Sequence, residues 1–488
     1  MPEKQDLIAL VRSRIPLVVI ETREELRMLD VLRRVGLETG TLVYRWSVTE
    51  GLSKLGSGPV DPLGLEASEI LRHIWSLKLP GLFALLDFHP YLAEPRNVRL
   101  LKEVCQAAGR YKQTVLLVSH RVELPEELKL YAAHLEVQLP DADAVARIVD
   151  DAVRRANAEQ PRRSLAVDPE ARQMLIRNLA GLSAAEAERL ARQAVMDDNA
   201  LTVEDIPRTA RTKYELLNRD GVVHYEHDTA QFSDVGGLEN LKRWLQQRRP
   251  VFLGEVAGLD APKGILLLGV QGGGKSLAAK AVAGTWHVPL LRLDFGALYD
   301  KYYGETERKT RESLAMAEMM APCVLWFDEI EKGIATRDSD SGTAHRVLGT
   351  LLTWMAERKT KVFVVATAND ISTLPPELLR KGRMDEVFFV DLPEKATRRE
   401  ILTIHLRKRG LDPASFDLDE LAEATEGFSG SELEQAVVSG LYSTVGGSGH
   451  LDDRTLLGEI RATRPLSILM GEQIGAMRRW AEQRTVRA

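Results

Sequence analysis

Cysteine is nearly absent from this chain. Its 488 residues include only Cys105 and Cys323, far apart and each inside an apolar stretch. That excludes a disulfide framework and fits a reducing compartment. Long apolar runs are also missing: none approaches the roughly 18 residues that a membrane-spanning helix requires. The opening "MPEKQDLIALVRSRIPLVVIETREE" lacks the layout of an export signal. The expected location is the cytoplasm, or an organelle stroma if the chain is chloroplast-encoded. None of the ten histidines falls in HExxH or another metal-binding spacing. All but His405 are expected to be ordinary core or surface residues. Basic charge is not in excess, with 65 Lys and Arg against 71 Asp and Glu, a net charge of −6. That argues against a general polyanion binder. No basic stretch is interleaved with aromatics in the way that single-strand binding uses. The basic "AMRRWAEQRTVRA" at the end reads as the close of a helix. Neither nucleic acid nor membrane is an expected partner.

What is present has the ordinary apolar share of a soluble protein, 44%, over a length that suggests two or three domains. It is also self-similar. The second half alternates helical patterns with short apolar runs at 264–270, 290–295, 323–329, 361–369 and 386–392. Several runs are apolar at consecutive positions, as parallel strands buried on both faces require. The first half repeats the order at 16–22, 41–47, 81–88, 114–120 and 134–139. Each half ends in a helical tail, and "LAGLSAAEAERLARQAV" (179–195) echoes "TEGFSGSELEQAVVSGL" (425–441). The sequence therefore predicts one α/β domain written twice, joined by a polar linker at 216–231.

Only the second copy carries a phosphate motif. "GVQGGGKS", from Gly269 to Ser276, fits G-x-x-x-x-G-K-S/T between an apolar strand and a helix. Glycines let backbone N–H groups turn onto phosphate oxygens, and the helix N-terminus adds partial positive charge. The expected nucleotide contacts are Gly269, Gly272, Gly273, Gly274, Lys275, Ser276 and Leu277. Lys275 would reach the β- and γ-phosphates, and the Ser276 hydroxyl would ligate Mg²⁺. "CVLWFDEIEK" then delivers Asp328 and Glu329 to a strand's carboxyl end. Asp328 is the expected Mg²⁺ partner and Glu329 the general base on the attacking water. Asn369 closes "VVATAND", where its amide can bond both γ-phosphate and water. Arg380 and Arg383 follow at the far end of the sheet. From there they reach a neighbour's nucleotide more easily than their own, as arginine fingers supplied in trans.

These motifs give residues 232–470 a close resemblance to the classical clade of AAA ATPases. It rests on "FSDVGGLENLK" (232–242), the P-loop, "KYYGETE" (301–307), "FDEIEK", Asn369, "LLRKGRMDEVFFVDLP" and "GFSGSELEQAV" (427–437). The resemblance implies ATP and Mg²⁺ as cofactors and a homo-oligomer, expected to be a hexamer, acting on a protein client. It also implies that Val235, Gly236, His405, Gly430 and Ser431 enclose the adenine. Tyr302 and Tyr303 would line a central pore and grip an extended polypeptide; packing on a neighbouring helix is the alternative. The sequence departs from the family at Lys381, Ala368 and Val270-Gln271, none of which removes a charged catalytic group.

The first copy lacks the chemistry. "IETREELRML" stands at its P-loop position, Asp87-Phe88 at the Asp-Glu position without a base, and Ser119-His120 at the sensor position. No paired arginines follow. This layout resembles tandem AAA proteins, one half degenerate and one active, of bacteria, cyanobacteria and algal chloroplasts. The expected fold is a three-layer P-loop AAA+ α/β sheet with a C-terminal helical lid, preceded by a degenerate AAA-like α/β domain with its own helical tail. The expected boundaries are 1–215 for the degenerate domain, 216–231 for the linker, 232–393 for the large subdomain and 394–488 for the lid and C-terminal helix. The expected function is ATP hydrolysis coupled to remodelling or unfolding of a protein. The alternative is a nucleotide-gated assembly module that threads nothing.

Overall fold

The computed structural model describes all residues except 1, 23, 57–65, 138, 160–164, 197–199, 219–221, 257, 299–304, 335–340, 371–373, 381 and 446–449. The chain divides into two compact units, Met1–Ile148 with Leu182–Arg189, and Val149–Gly181 with Leu190–Ala488.

In the first unit the strands are β1 (Leu17–Glu21), β2 (Val43–Ser47), β3 (Gly51–Lys54), β4 (Gly81–Leu86), β5 (Gln113–Ser119) and β6 (Ala132–Glu136). They form one sheet in the order β3-β2-β4-β5-β1-β6. β4 and β5 are buried at every position, as a sheet covered on both faces demands. Successive β1 side chains alternate between the two faces. Val18 and Ile20 pack with the helices Pro2–Arg12 and Glu25–Thr39. Leu17 and Val19 pack with Ala67–Leu77 and Pro95–Tyr111. The result is a three-layer sandwich.

The second unit opens with a small parallel pair, β7 (Ala166–Val167) and β8 (Ala200–Leu201). Its main strands are β9 (Val223–Tyr225), β10 (Gly264–Gly269), β11 (Leu290–Leu293), β12 (Cys323–Phe327), β13 (Val362–Ala368), β14 (Glu386–Val390) and β15 (Val486–Arg487). The order is β15-β14-β10-β13-β12-β11-β9. Ile265 and Leu267 of β10 face one core with the helices Glu239–Leu253 and Lys275–Trp286. Leu266 and Leu268 face the other, with Glu305–Met319 and Ser341–Glu357.

The five repeated runs take the same places in both sheets. Read across, β2-β4-β5-β1-β6 and β11-β12-β13-β10-β14 both run second, third, fourth, first, fifth. The tails match in detail as well. Gly181 has φ +80° and Gly427 has φ +81°. Two residues later, Ser183 and Ser429 each bond the carboxylate three residues on, Glu186 and Glu432, at 2.7 and 2.8 Å from the hydroxyl. In each case the serine N–H also donates to that carboxylate, the half of a capping box that the glutamate supplies, at matching sequence positions. The lid itself is four helices, Lys395–Lys408, Leu418–Ala424, Gly430–Val445 and Asp453–Ala462, around Leu402, Leu406, Leu433, Val437 and Leu456.

Two boundaries differ from the sequence expectation. Part of the segment expected as a linker is β9, paired antiparallel with β11 through Leu291↔Tyr225 and Leu293↔Val223. A three-residue edge strand is too short to show periodicity. The chain's contacts also divide near 148 rather than at 215. Tail residues 149–181, and those from 190 onward, belong with the second unit. Tyr214 donates its hydroxyl to the Val223 carbonyl at 2.7 Å, and its ring lies 5.5 Å from that of Tyr225. Within that unit, Gly181 approaches the end of the helix Glu305–Met319 so closely that a Cβ there would lie 2.9 Å from the Met319 carbonyl.

Candidate active site

β10 is buried along its whole length and ends at the P-loop. A Cβ on Gly269 would come within 2.0 Å of the Val390 carbonyl, so only glycine lets the chain leave the sheet here. Gly272 has φ +75°, and a Cβ there would lie 2.2 Å from the Ser431 hydroxyl. The loop thus passes directly under the lid. Gly274 ends it and starts the helix Lys275–Trp286. Lys275 is 6% exposed, and its ammonium donates to the Gly269 and Val270 carbonyls at 2.9 and 2.8 Å. Burial lowers its pKa to about 8, against the opposing pull of Glu331, Glu329 and Asp328. A cradle of backbone N–H groups, one ammonium and a helix N-terminus suits a polyphosphate.

The acidic edge comes from the ends of β12 and β13. Ser276 donates to Asp328 at 3.3 Å, and Thr367 donates to the same carboxylate oxygen at 2.8 Å. The Thr367 hydroxyl also accepts from the Glu329 N–H at 2.9 Å. Glu329 has φ +47°, an uncommon conformation for a residue with a side chain. One of its carboxylate oxygens accepts from the Asn369 amide at 2.8 Å, and the other pairs with Lys332. Asn369 is held in turn by its backbone N–H, which donates to Glu331 at 2.8 Å. Glu331 is buried, and that burial raises its pKa. A hydroxyl and a carboxylate at the phosphate edge form a small oxygen-donor set, the chemistry Mg²⁺ selects.

The other end of the cleft is apolar and narrow. Val235 is 3% exposed, and a Cβ on Gly236 would lie 2.7 Å from Ile401. The Ser431 N–H donates to the Gly272 carbonyl at 3.2 Å and ties the lid to the P-loop. His405 lies 3.6 Å from the Glu434 carboxylate, and burial lowers its pKa. The cleft has a volume of about 440 Å³. Val235, Gly236, Gly272, Gly273, Gly274, Lys275, Ser276, Leu277, Asp328, Glu329, Asn369, His405, Gly430 and Ser431 all line it. Gly269 sits behind it, as the carbonyl that holds Lys275.

Arg380 and Arg383 do not line this cleft. Arg380 is exposed, and Arg383 donates to the Glu377 carbonyl at 2.5 Å. Tyr302, Tyr303 and Lys381 lie outside the described residues. Sequence reading missed Thr367, Glu331, Lys332 and Glu434. Thr367 is one hydroxyl inside an apolar strand, with no spacing to mark it. Glu331 and Lys332 follow the motif on the same turn and could have been suspected from that alone.

The corresponding turn of the first unit lacks the phosphate cradle. Three residues, 22–24, separate β1 from its helix, where five, 270–274, form the P-loop. Glu24 is buried there and accepts from the Ala185 N–H at 3.1 Å and from Arg27 at 2.7 Å. Ala185 stands two residues after Ser183, as Ser431 stands two after Ser429. A fixed internal carboxylate thus holds the start of the helix Ala184–Met196, the counterpart of the lid helix whose Ser431 ties to the P-loop. It would repel a triphosphate. One sequence expectation needs correcting. Asp87 has φ +49°, matching Glu329 at φ +47°. By backbone conformation it stands in the place of the base, not of Asp328, so a carboxylate survives there.

Comparison with known proteins agrees with this division. The profile of the ATPase family associated with various cellular activities (AAA) matches residues 265–392, and the AAA+ lid domain matches 415–440. The N-terminal and second domains of SpoVK-like AAA ATPases match 3–137 and 143–220. The AAA domain-containing protein ycf46 of Trieres chinensis is 32% identical over 495 residues, spanning 100% of this chain and 98% of that protein. The ycf46 protein of Pyropia yezoensis is 34% identical, over 98% and 97%. The proteasome-activating nucleotidase of Aeropyrum pernix is 32% identical over 72% of this chain and 83% of its own. With a nucleotide cradle in one of two matching sheets and full-length similarity to the ycf46 proteins, this chain belongs to the AAA ATPase family, as a tandem protein with a degenerate first half.

Proposed function

We propose that the chain hydrolyses ATP in its second unit and couples hydrolysis to remodelling of a protein client. The observation that carries this reading is the convergence of Lys275, Asp328, Glu329 and Asn369 on one cleft. The P-loop amides and Lys275 hold the phosphates, and the lid closes over the adenine. Ser276 and Asp328 would hold Mg²⁺, which supplies charge neutralisation on the phosphate oxygens. Glu329, aimed by Asn369 and Thr367, takes a proton from water as that water attacks the γ-phosphorus. The bond from phosphorus to the bridging oxygen breaks, and ADP leaves. Lys332 must release Glu329 for this step.

Arg380 and Arg383 lie away from their own cleft, which supports their acting on a neighbour's nucleotide in a ring, taken here to be a hexamer. An in-trans arginine is worth about 10³–10⁵ in rate. Tyr302 and Tyr303 are assigned to gripping the client at the pore, on the family resemblance and the likeness to proteasome-activating nucleotidase. Glu329→Gln tests the central step. It should still bind ATP while turnover falls about 10²–10⁴-fold. Turnover within threefold of wild type would remove Glu329 from the role of base.

A further inference from the structure

The degenerate cleft keeps features that a vestigial site has no reason to keep. Asp87, at the end of β4, retains a left-handed backbone conformation. Strain of this kind persists where the surroundings enforce it and is concentrated at functional sites. Two histidines stand beside it. His89 opens the turn His89–Ala93, and His120 follows β5. The turn is anchored by Phe88, which is fully buried and packs edge-on against Trp46 at 5.6 Å. The His89 and His120 rings meet at 4.8 Å and 87°.

The geometry points to a divalent-metal site formed by Asp87, His89 and His120, taking a borderline ion of the Zn²⁺ class. One donor atom from each of the three side chains lies within 4.8 Å of the others. Zinc bonds of about 2.0–2.1 Å place tetrahedral donors roughly 3.3 Å apart. Rotation of the exposed Asp87 and His120 side chains closes that gap. Two imidazoles with one carboxylate select Zn²⁺, Co²⁺ or Fe²⁺ over Mg²⁺ or Ca²⁺, which prefer all-oxygen sets. A supporting shell is already in place. Ser119 donates to Asp87 at 2.9 Å and lies 2.7 Å from Nδ1 of His89. With its proton on Asp87, Ser119 can only accept from His89. Nδ1 then carries the hydrogen, and Nε2 is left as a lone-pair ligand. The cleft has thus exchanged an anion cradle for cation ligands. No histidine spacing in the sequence marks it, because β4 and β5 bring the residues together.

The test uses the full chain, stripped with a chelator and dialysed against Zn²⁺ in excess Mg²⁺. One Zn²⁺ should bind per chain, also in Asp328→Asn. Binding should weaken at least tenfold in His89→Ala, in His120→Ala and in Asp87→Asn. Ser119→Ala should weaken it by roughly 10–100-fold, as loss of a supporting hydrogen bond does. Co²⁺ substitution should give visible absorption that disappears in His120→Ala. His120 is exposed, so its replacement leaves the fold intact, which equal melting temperatures in chelator would verify. Absence of Zn²⁺ binding in the wild type overturns the proposal. So does binding that His89→Ala and His120→Ala leave unchanged.

Discussion

Replacing Thr367 with valine removes one oxygen and almost no volume. That residue is 1% exposed, and its hydroxyl joins the two acidic residues of the site. It donates to Asp328 at 2.8 Å and accepts from the Glu329 N–H at 2.9 Å. The bond to the carboxylate is worth about 1.5–3 kcal/mol and the neutral one about 0.5–1.5. If half of the combined value is felt in the transition state, the loss is roughly 1–2 kcal/mol. That corresponds to a fall in kcat/KM of about 5- to 30-fold. The Glu329 N–H would also lose its partner at a backbone position with φ +47°. Steady-state ATPase kinetics give the readout, and Thr367→Ser, which keeps the hydroxyl, should recover most of the loss. If Thr367→Val keeps kcat/KM within twofold of wild type, the hydroxyl does not organise Asp328 and Glu329 as described.

Other perturbations test other parts of the account. A Lys275→Ala chain and an Arg383→Ala chain should each be inactive alone and recover part of the turnover when mixed, because one supplies arginines and the other an intact cleft. No recovery at any ratio would contradict action in trans. Replacing Tyr302 and Tyr303 with alanine should abolish unfolding of a tagged client while ATP hydrolysis persists, and unimpaired client processing would refute threading. Lys275 is lowered from 10.5 to about 8 by burial. Its folded form therefore binds fewer protons than the unfolded chain between those values, and it makes the ligand-free fold gain stability as pH rises through that window. Bound phosphates restore the charged form, so ATP binding at pH 8 should take up about half a proton. Titration calorimetry in buffers of different ionisation heat should show it, and buffer-independent heats would argue against a depressed lysine. Gly181→Ala introduces a Cβ at φ +80° only 2.9 Å from the Met319 carbonyl. It should destabilise the chain by roughly 1–3 kcal/mol.

The parts of the molecule that were legible in the sequence are those with rigid local rules. A strand buried on both faces must be mainly apolar, as β4, β5, β10, β12 and β13 are, and those runs set the repeat against which the more exposed strands could be paired. A phosphate cradle needs glycines and a lysine at fixed spacing. Glu329 and Asn369 could be located because they end such strands. Features that depend on the meeting of distant segments were hidden. Thr367 has no meaning until β12 lies beside β13. Glu24 looks like an ordinary helix-start acid until the Ala185 N–H is placed on it. Asp87 and His120 stand more than thirty positions apart, and the match of Asp87 to Glu329 rests on backbone conformation, which residue identity does not show. The edge strand β9 reads as linker in the sequence because three residues carry no period.

Counting the nucleotides held by each chain tests the central claim most directly. The Glu329→Gln form, which should bind without turning over, can be titrated with ATP and Mg²⁺ in equilibrium dialysis. One nucleotide per chain is predicted, abolished by Lys275→Ala and unaffected by Glu24→Gln. Two nucleotides per chain, or one that survives Lys275→Ala, would contradict a live second cleft paired with a first cleft closed by its own carboxylate.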